Sequence, residues 1–505
     1  MKDLLRSFLT DFADLVARQP DKVALLDSEG RIVTYSKLAD YIENAQALLT
    51  AYGMRPGDVV TTLLPNAIET LIIFLASLRG GYIYAPLSCA ATLTEVQQWK
   101  GLTKSKLCLI AAPVSTSLQE QIAVMDWRLV IIPIGGDLGW LGNGNTSPNG
   151  NGRLLISSSG STGEPKAIVL DGDRLWSAGC AFLHYQQIEA SNTRFWNYLP
   201  MSYLGGLFNL GLIPLAAGGS IFVDEPFNGK TFLTFWSTVE QFEINSLWLV
   251  PSILRGLLVL AERVGKPRLC NHIERCYIGT APISLAEKKR FTQLFGIEPM
   301  ENYGLSETTF ISSECSYELA FRQQGTVGKV MPDVEVKISS TDSEDDMLRE
   351  ILVRTPFMML GYLDIKGRVE LPLDNDGFFR SGDYGSIVNG QLVITGRRRD
   401  IVKKGGVLVA LREIELIAES FENILEAVAV RIDHPFYGES YILYICPNLL
   451  IIDETDFLIQ FTSGLHAQLV RYKWPERIVL RKDFPRTASG KVQKHLLSMK
   501  ECLNE

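Results

Sequence analysis

Several devices by which proteins hold metals, nucleic acids or membranes are missing from this sequence. Its 8 cysteines include no C-x-x-C pair and have no histidines at zinc-finger spacing. That argues against a metal cluster or disulfide framework and leaves small buried hydrophobes in a reducing compartment. Excess positive charge is also missing. With a formal net charge of −8, no broad basic field attracts a phosphate backbone, and no nucleic-acid partner is expected. Long apolar runs are absent too: the longest, Ala67 to Leu78, carries Glu69 and is too short to span a bilayer. The opening MKDLLRSFLTDFADL brings charges too early for a signal-peptide core and suits an amphipathic helix. The final Cys502-Leu-Asn-Glu lacks the aliphatic pair of a prenylation box. We therefore expect no stable membrane insertion and a cytoplasmic location. No internal repeat or extended low-complexity tract is found.

What is present is an ordinary globular composition, 46% hydrophobic and 21% charged, in 505 residues. That length is too great for one core, so two or more domains are expected. The most informative stretch is Leu154 to Leu170, LLISSSGSTGEPKAIVL. Ser157, Ser158, Ser159, Ser161 and Thr162 place five hydroxyls in six positions, Gly160 and Gly163 permit tight turning, and Lys166 adds a cation. Such a loop presents N–H groups, hydroxyls and a positive charge to a polyanion, with triphosphate the natural candidate. The flanking apolar runs predict two strands with the loop at a hairpin tip. The spacing does not fit G-x-x-x-x-G-K-[ST], because the glycines lie three apart and Pro165 precedes the lysine. Turn residues of these types are also common in surface loops, which composition alone leaves open.

Residues 1 to about 150 alternate strand and helix patterns, predicting βαβ units on a mostly parallel sheet. A helix is expected from about Lys37 to Tyr52, a strand over Asp58 to Leu64, a buried helix over Ala67 to Leu78 and a strand over Tyr82 to Leu87. Arg194 to Val223 predicts strand, turn, helix, turn and strand. EINSLWLVPSIL and CYIGTAPI predict further strands ending in polar or glycine and proline turns, where ligands of open α/β sheets sit. In Asn302-Tyr-Gly-Leu-Ser-Glu-Thr308, Tyr303 offers a ring face for a base, Ser306 a hydroxyl for phosphate, and Glu307 a carboxylate for Mg²⁺. In Phe378-Phe-Arg-Ser-Gly-Asp383, the aspartate can accept hydrogen bonds from both ribose hydroxyls, although a β-turn aspartate reads the same alone. The acidic run SSTDSEDDML is read as a solvated loop. Residues 407 to 505 predict a compact α+β unit with helices near Arg412 to Phe421 and Glu454 to Leu469, and strands at Ala427 to Ile432 and Tyr441 to Cys446.

Five segments in this order resemble the adenylate-forming superfamily of acyl- and aryl-CoA synthetases, peptide-synthetase adenylation domains and luciferases. They are the 157–166 loop, Y-G-L-S-E, S-G-D, Gly396-Arg397 and Pro485-Arg-Thr-Ala-Ser-Gly-Lys491, and the likeness spans residues 20 to 500. The resemblance implies an α/β fold: a large N-terminal domain of mostly parallel sheets flanked by helices (1–396), and a small mobile α+β C-terminal domain (397–505). It implies ATP, Mg²⁺ and coenzyme A, or a carrier-protein phosphopantetheine, with a small carboxylic acid as substrate. Ser158, Ser159, Gly160, Ser161, Thr162, Gly163 and Lys166 would hold phosphates. Gly279, Thr280, Ala281, Asn302, Tyr303 and Gly304 would face the nucleotide, with Asp383 and Arg397 on the ribose and phosphate side. Catalysis would fall to Lys491, Glu307 and Ser306, with Glu307 the metal ligand. Tyr203, Gly205, Trp248 and Gly328 would line the acid site, Arg399 would be the hinge, and Gly405-Gly406 would border the thiol tunnel. Glu350 to Tyr362 resembles a segment of structural character.

The chain departs from the pattern at Ser306, usually Thr, and at Ser202-Tyr203, where many members carry an aromatic and His. Arg399 stands where Asp or Lys is usual, and Val407 to Leu411 lacks the common Glu-Asn and Pro. No aspartate between Pro200 and Leu215 could hold an amino-acid ammonium. The leading expectation is ATP-dependent conversion of an acid to an acyl-adenylate and then a CoA thioester. Loading of a carrier protein, and a catalytically silent nucleotide-binding protein, are the alternatives.

Overall fold

The apolar runs become strands buried on both faces, as parallel strands covered by helices must be. The computed structural model describes residues 5–112, 114, 116–125, 127–144, 146–158, 166–188, 192–264, 272–281, 283–322, 325–339, 349–397, 400–405, 407–421, 423–447, 453–486 and 492–499. Three sheets organise them. In the 13-stranded sheet, strands Val23–Asp27, Ser220–Val223, Arg194–Asn197, Ser246–Leu249, Arg275–Ile278 and Pro299–Leu305 form a parallel core. Antiparallel strands extend it, from Thr309–Ser313 outward through Thr326–Val330, Gln391–Arg397 and Phe379–Val388. The 8-stranded sheet repeats the plan, with Arg153–Ser158, Ile83–Pro86, Val59–Leu63, Leu107–Ile110 and Arg128–Ile131 parallel and Lys166–Asp171 closing an antiparallel hairpin on Arg153–Ser158. The hairpin expected around the hydroxyl-rich loop is therefore present.

Helices fill the space between these two sheets. Helix Ile68–Arg79 touches Ile83–Pro86 of one sheet and Val23–Asp27 of the other, which is why Ile68 through Leu78 are all buried. Its Glu69, fully buried, is tolerated because Arg31 donates to it at 2.6 Å and the Gly135 N–H at 3.0 Å. Helix Gly172–Tyr185 likewise contacts both Lys166–Asp171 and Thr309–Ser313.

The smaller C-terminal domain is built on a 5-stranded sheet, Val407–Ala410, Ile401–Lys404, Gly438–Pro447 and Ile424–His434, with Arg477–Leu480 also paired to Gly438–Pro447. Helices Leu411–Glu419 and Glu454–Gln468 pack on a core of its own, including Ile414, Leu443 and Phe461. The described cysteines, 89, 108, 180, 276, 315 and 446, stand outside any disulfide and are buried or half-buried. Burial pushes the Cys89 thiol up to about 11, so it stays protonated near neutrality. Among the described residues no helix is long and apolar enough to cross a membrane.

Candidate active site

The parallel core strands end along one edge of the 13-stranded sheet, where open α/β sheets bind ligands. A cleft of about 1280 Å³ opens there, bounded by both large sheets and by the C-terminal domain. Of the residues singled out in the sequence, Tyr203, Gly205, Trp248, Thr280, Ala281, Asn302, Tyr303, Gly304, Ser306, Glu307, Asp383 and Arg397 line it.

Asp383 is the best-defined of these. Gly382, at φ +73°, bends the chain just before it, and strand pairing sets Asp383 opposite Arg397. The two segments S-G-D and G-R thus meet across one ladder. The Asp383 carboxylate, 2% exposed, accepts from Tyr303 Oη at 2.7 Å through Oδ2 and from Arg397 Nε at 2.9 Å through Oδ1. A carboxylate offers about four lone-pair sites, so two remain for vicinal hydroxyls. Burial and the adjacent Asp383 charge push the Tyr303 phenol well above its usual value, keeping it a donor. Burial lowers the Arg397 pKa but Asp383 and Tyr303 raise it further, so the guanidinium remains charged.

Glu307 lies in the turn after Pro299–Leu305. Its Oε1 accepts from Tyr362 Oη at 2.7 Å, and its carbonyl accepts from the Met359 N–H at 2.8 Å. Tyr362 belongs to strand Gly361–Leu363, which pairs at Ile168 with the hairpin of Arg153–Ser158 and Lys166–Asp171, and the Lys166 ammonium lies 5.9 Å from its ring centroid. One tyrosine therefore ties Glu307, beside one sheet, to the hairpin of the other. Sequence reasoning gave this segment only a structural part, because the link depends on pairing between residues almost 200 positions apart. Mg²⁺ binds through one or two carboxylates plus substrate phosphates and water. A single oriented carboxylate beside a cationic hairpin fits it, and no group of three metal-ligating side chains is found among the described residues.

On the cleft wall near Trp248, the predicted helix after Pro200 opens as a π-helix, Gly205–Leu212, before Ile213–Ala216 continues as α. Its loosened carbonyls are satisfied by Asn197, whose Nδ2 donates to Gly206 O at 2.9 Å and Leu210 O at 3.0 Å. Such turns recur at functional sites. Trp248, 1% exposed, packs with Phe182, Tyr277 and Phe310. Thr280, at φ +76°, is a β-branched residue in the left-handed region at the carboxyl end of Arg275–Ile278, a strained conformation held in place at the cleft.

Gly279, Gly328 and Gly405 are placed otherwise than at the cleft wall. A Cβ at Gly328, φ +84°, would meet the Ser313 backbone at 2.1 Å, so this glycine serves strand packing. Gly405 turns the hairpin between Ile401–Lys404 and Val407–Ala410 beside the Tyr437 ring. Lys166, at the first position of its strand, is exposed beside Tyr362. Ser159, Gly160, Ser161, Thr162, Gly163, Arg399, Gly406 and Lys491 lie outside the described residues, as does the Ser158 side chain. Val492, next to Lys491 in sequence, lines the cleft and bridges to Arg486.

A charged chain at the interface between the domains had no motif to announce it. Arg255, 8% exposed on helix Pro251–Val264, meets Glu287 at 2.6 Å and then the C-terminal residues Glu426 at 3.0 Å and Glu419 at 3.8 Å. Arg412 continues it to Glu419 and Glu415, Lys494 joins Glu415 at 3.0 Å to Asp400 at 3.3 Å, and Arg486 closes on Glu426. Glu287 also caps its own helix, accepting from the Ser284 N–H at 2.7 Å.

Residues 12–363 match the AMP-binding enzyme family. An oxalate–CoA ligase of Arabidopsis thaliana is 26% identical over 97% of this chain and 98% of that enzyme. A 2-succinylbenzoate–CoA ligase of Oceanobacillus iheyensis is 25% identical, covering 98% of this chain and 100% of its own length. Among solved structures, ATP-bound MatB from Rhodopseudomonas palustris superposes with a TM-score of 0.84 at 25% identity, covering 97% of this chain and 98% of that one.

Proposed function

The chain belongs to the AMP-binding enzyme family, and on that premise we propose that it is an acid–thiol ligase. It activates a small carboxylic acid with ATP as an acyl-adenylate and passes the acyl group to CoA. The observation that carries this reading is the convergence of Asp383, Tyr303, Arg397 and Glu307 on one cleft shared by two sheets and a separate C-terminal domain.

In the first half-reaction a carboxylate oxygen of the acid attacks the α-phosphorus of ATP, and pyrophosphate leaves with the electrons of the broken P–O bond. Two anions must meet for this, so the residues that position and neutralise them carry most of the catalysis. Asp383 takes the ribose hydroxyls, Tyr303 presents its ring to the base while its hydroxyl fixes Asp383, and Arg397 stays cationic beside the sugar and phosphate. Lys166 and the 157–163 hydroxyls face the β- and γ-phosphates. Glu307, held by Tyr362, is the protein ligand for Mg²⁺, which supplies charge neutralisation on the phosphate oxygens. Lys491 brings an ammonium to the α-phosphate. Position 492 at the cleft wall supports that placement.

In the second half-reaction the CoA thiolate attacks the acyl carbon and AMP leaves. The domain joint follows strand Gln391–Arg397, one residue later than the 396/397 boundary expected from sequence because Arg397 still pairs with Asp383, and rotation about Arg399 withdraws Lys491 and presents Gly405-Gly406 to the thiol. The use of ATP and CoA, together with described cysteines that form no disulfide, fits a cytoplasmic enzyme. The test is pyrophosphate exchange dependent on added acid, followed by product analysis with CoA or a holo-carrier protein as acceptor. Thioester on the carrier alone would replace CoA in this scheme. No exchange with any acid would refute adenylation.

A further inference from the structure

Leu249, Ile278 and Glu301 lie side by side across the parallel core, so Gly279 and Asn302 follow as the next row beyond it. Side chains alternate along a strand, which sends Glu301 and Asn302 to opposite faces. Glu301 meets the Lys288 ammonium at 2.5 Å. Asn302 shares the other face with Met300, whose register partner is Tyr277, itself paired with Trp248. That face carries an aromatic wall, with Trp248 to Phe310 at 5.7 Å and Phe208 to Phe310 at 5.6 Å between ring centroids. Expected beside the nucleotide, the Asn302 side chain is therefore set against the acid chamber.

Asn302 is 8% exposed, and its Nδ2 has no hydrogen-bond partner. A buried donor left unpaired is costly, so an acceptor must come from what enters. Space is kept for the amide by Gly279, where a Cβ would lie 2.6 Å from Asn302 Oδ1. Among the described residues, the cations lining the cleft are already matched: Lys288 by Glu301 and Glu314, Arg255 by Glu287 and Glu426, Arg397 by Asp383, Arg412 by Glu419 and Lys494 by Glu415. A second carboxylate on the substrate would enter this apolar chamber without a counter-charge from the described residues.

Resting on the adenylation reading above, we propose that the acid is an aromatic monocarboxylate bearing a neutral hydrogen-bond acceptor on its ring. The ring lies against Trp248, Phe208 and Phe310, and the substituent accepts from Asn302 Nδ2. The test measures pyrophosphate release by the full chain with ATP and a panel of acids. The panel holds benzoate, phenylacetate and cinnamate, their hydroxy- and methoxy-substituted forms, oxalate, malonate, succinate and octanoate. Substituted aromatic acids should exceed their parents in kcat/KM by about tenfold, and the dicarboxylates by more. Asn302→Leu should erase the preference for the substituted over the parent acid. Asn302→Asp, which replaces the donor by an acceptor, should turn it toward amino-substituted rings. An ATP-dependent rise in unfolding temperature shows that each variant is folded. A dicarboxylate or octanoate preference, or an unchanged ratio in either folded variant, overturns the aromatic assignment alone. Absence of acid-dependent pyrophosphate from every acid overturns adenylation itself.

Discussion

Asp383 holds two donors on a carboxylate with room for four, and its substitution separates binding from folding. Asp383→Ala removes charge-assisted hydrogen bonds of about 1.5–3 kcal/mol each. The KM for ATP should rise at least about tenfold in initial-rate measurements. Tyr362→Phe deletes only the donor at 2.7 Å on Glu307. The apparent Mg²⁺ affinity should fall by about tenfold, as when an outer hydrogen bond to a metal ligand is lost, and a Mg²⁺ titration of pyrophosphate release checks it. Lys491→Ala should abolish adenylate formation while sparing thioester formation from a supplied adenylate, and equal loss of both would contradict its assignment. The contrast between Asp383 and Tyr362 shows what could be read from sequence. Asp383 sits in a short motif whose geometry is local, a glycine bend before a strand residue. Tyr362 gains its meaning only from the strand it pairs with, and nothing in its neighbours reports that.

At the scale of elements, the alternating pattern of residues 35–87 was legible because buried strands and helices differ in length and in their glycine and proline boundaries. Strand Val59–Leu63, helix Ile68–Arg79 and strand Ile83–Pro86 fall within a residue or two of expectation. The π-turns at Gly205–Leu212 were not legible, since a run of glycine and leucine suits α and π hydrogen bonding equally, and the choice is made by Asn197 from a neighbouring strand. Thr280 was named from its motif, but its left-handed backbone had no signature. Thr280→Gly should relieve strain of about 1–3 kcal/mol and raise the unfolding temperature, while slowing adenylation because the turn no longer has a fixed shape. Calorimetry and pyrophosphate release on the same preparation would show the opposed changes. A lower unfolding temperature would mean that the conformation is unstrained.

For the whole molecule, the joint between domains rests on buried charge. Arg255→Met leaves Glu419 and Glu426 without their partner from the larger domain, and breaking a buried pair from one side costs about 3–5 kcal/mol. The variant should show an expanded radius of gyration in small-angle scattering and a changed ratio of the two half-reaction rates. An unchanged profile would assign the interface to apolar packing instead. The same joint has a pH limit. Burial raises the Glu415 pKa but Lys494 and Arg412 lower it more, so it lies below the ordinary 4.5. A depressed carboxylate contributes stability above its unfolded value that is lost as pH falls through the folded one. Glu419, pushed up by burial, acts in the opposite sense at higher pH. Loosening of the joint should therefore begin only below about pH 4.5, which the scattering profile would follow.

The widened turns at Gly205–Leu212 have an evolutionary consequence. Loss of one residue there would let the segment relax to ordinary α-helix and swing everything on one side of it by about 100°, replacing the side chains it turns toward the cleft. Tyr303, Asp383 and Arg397 stand on other strands, and Glu307 in the turn after one of them, and would not move. Such a scaffold can exchange its substrate by a single deletion while keeping its ATP chemistry.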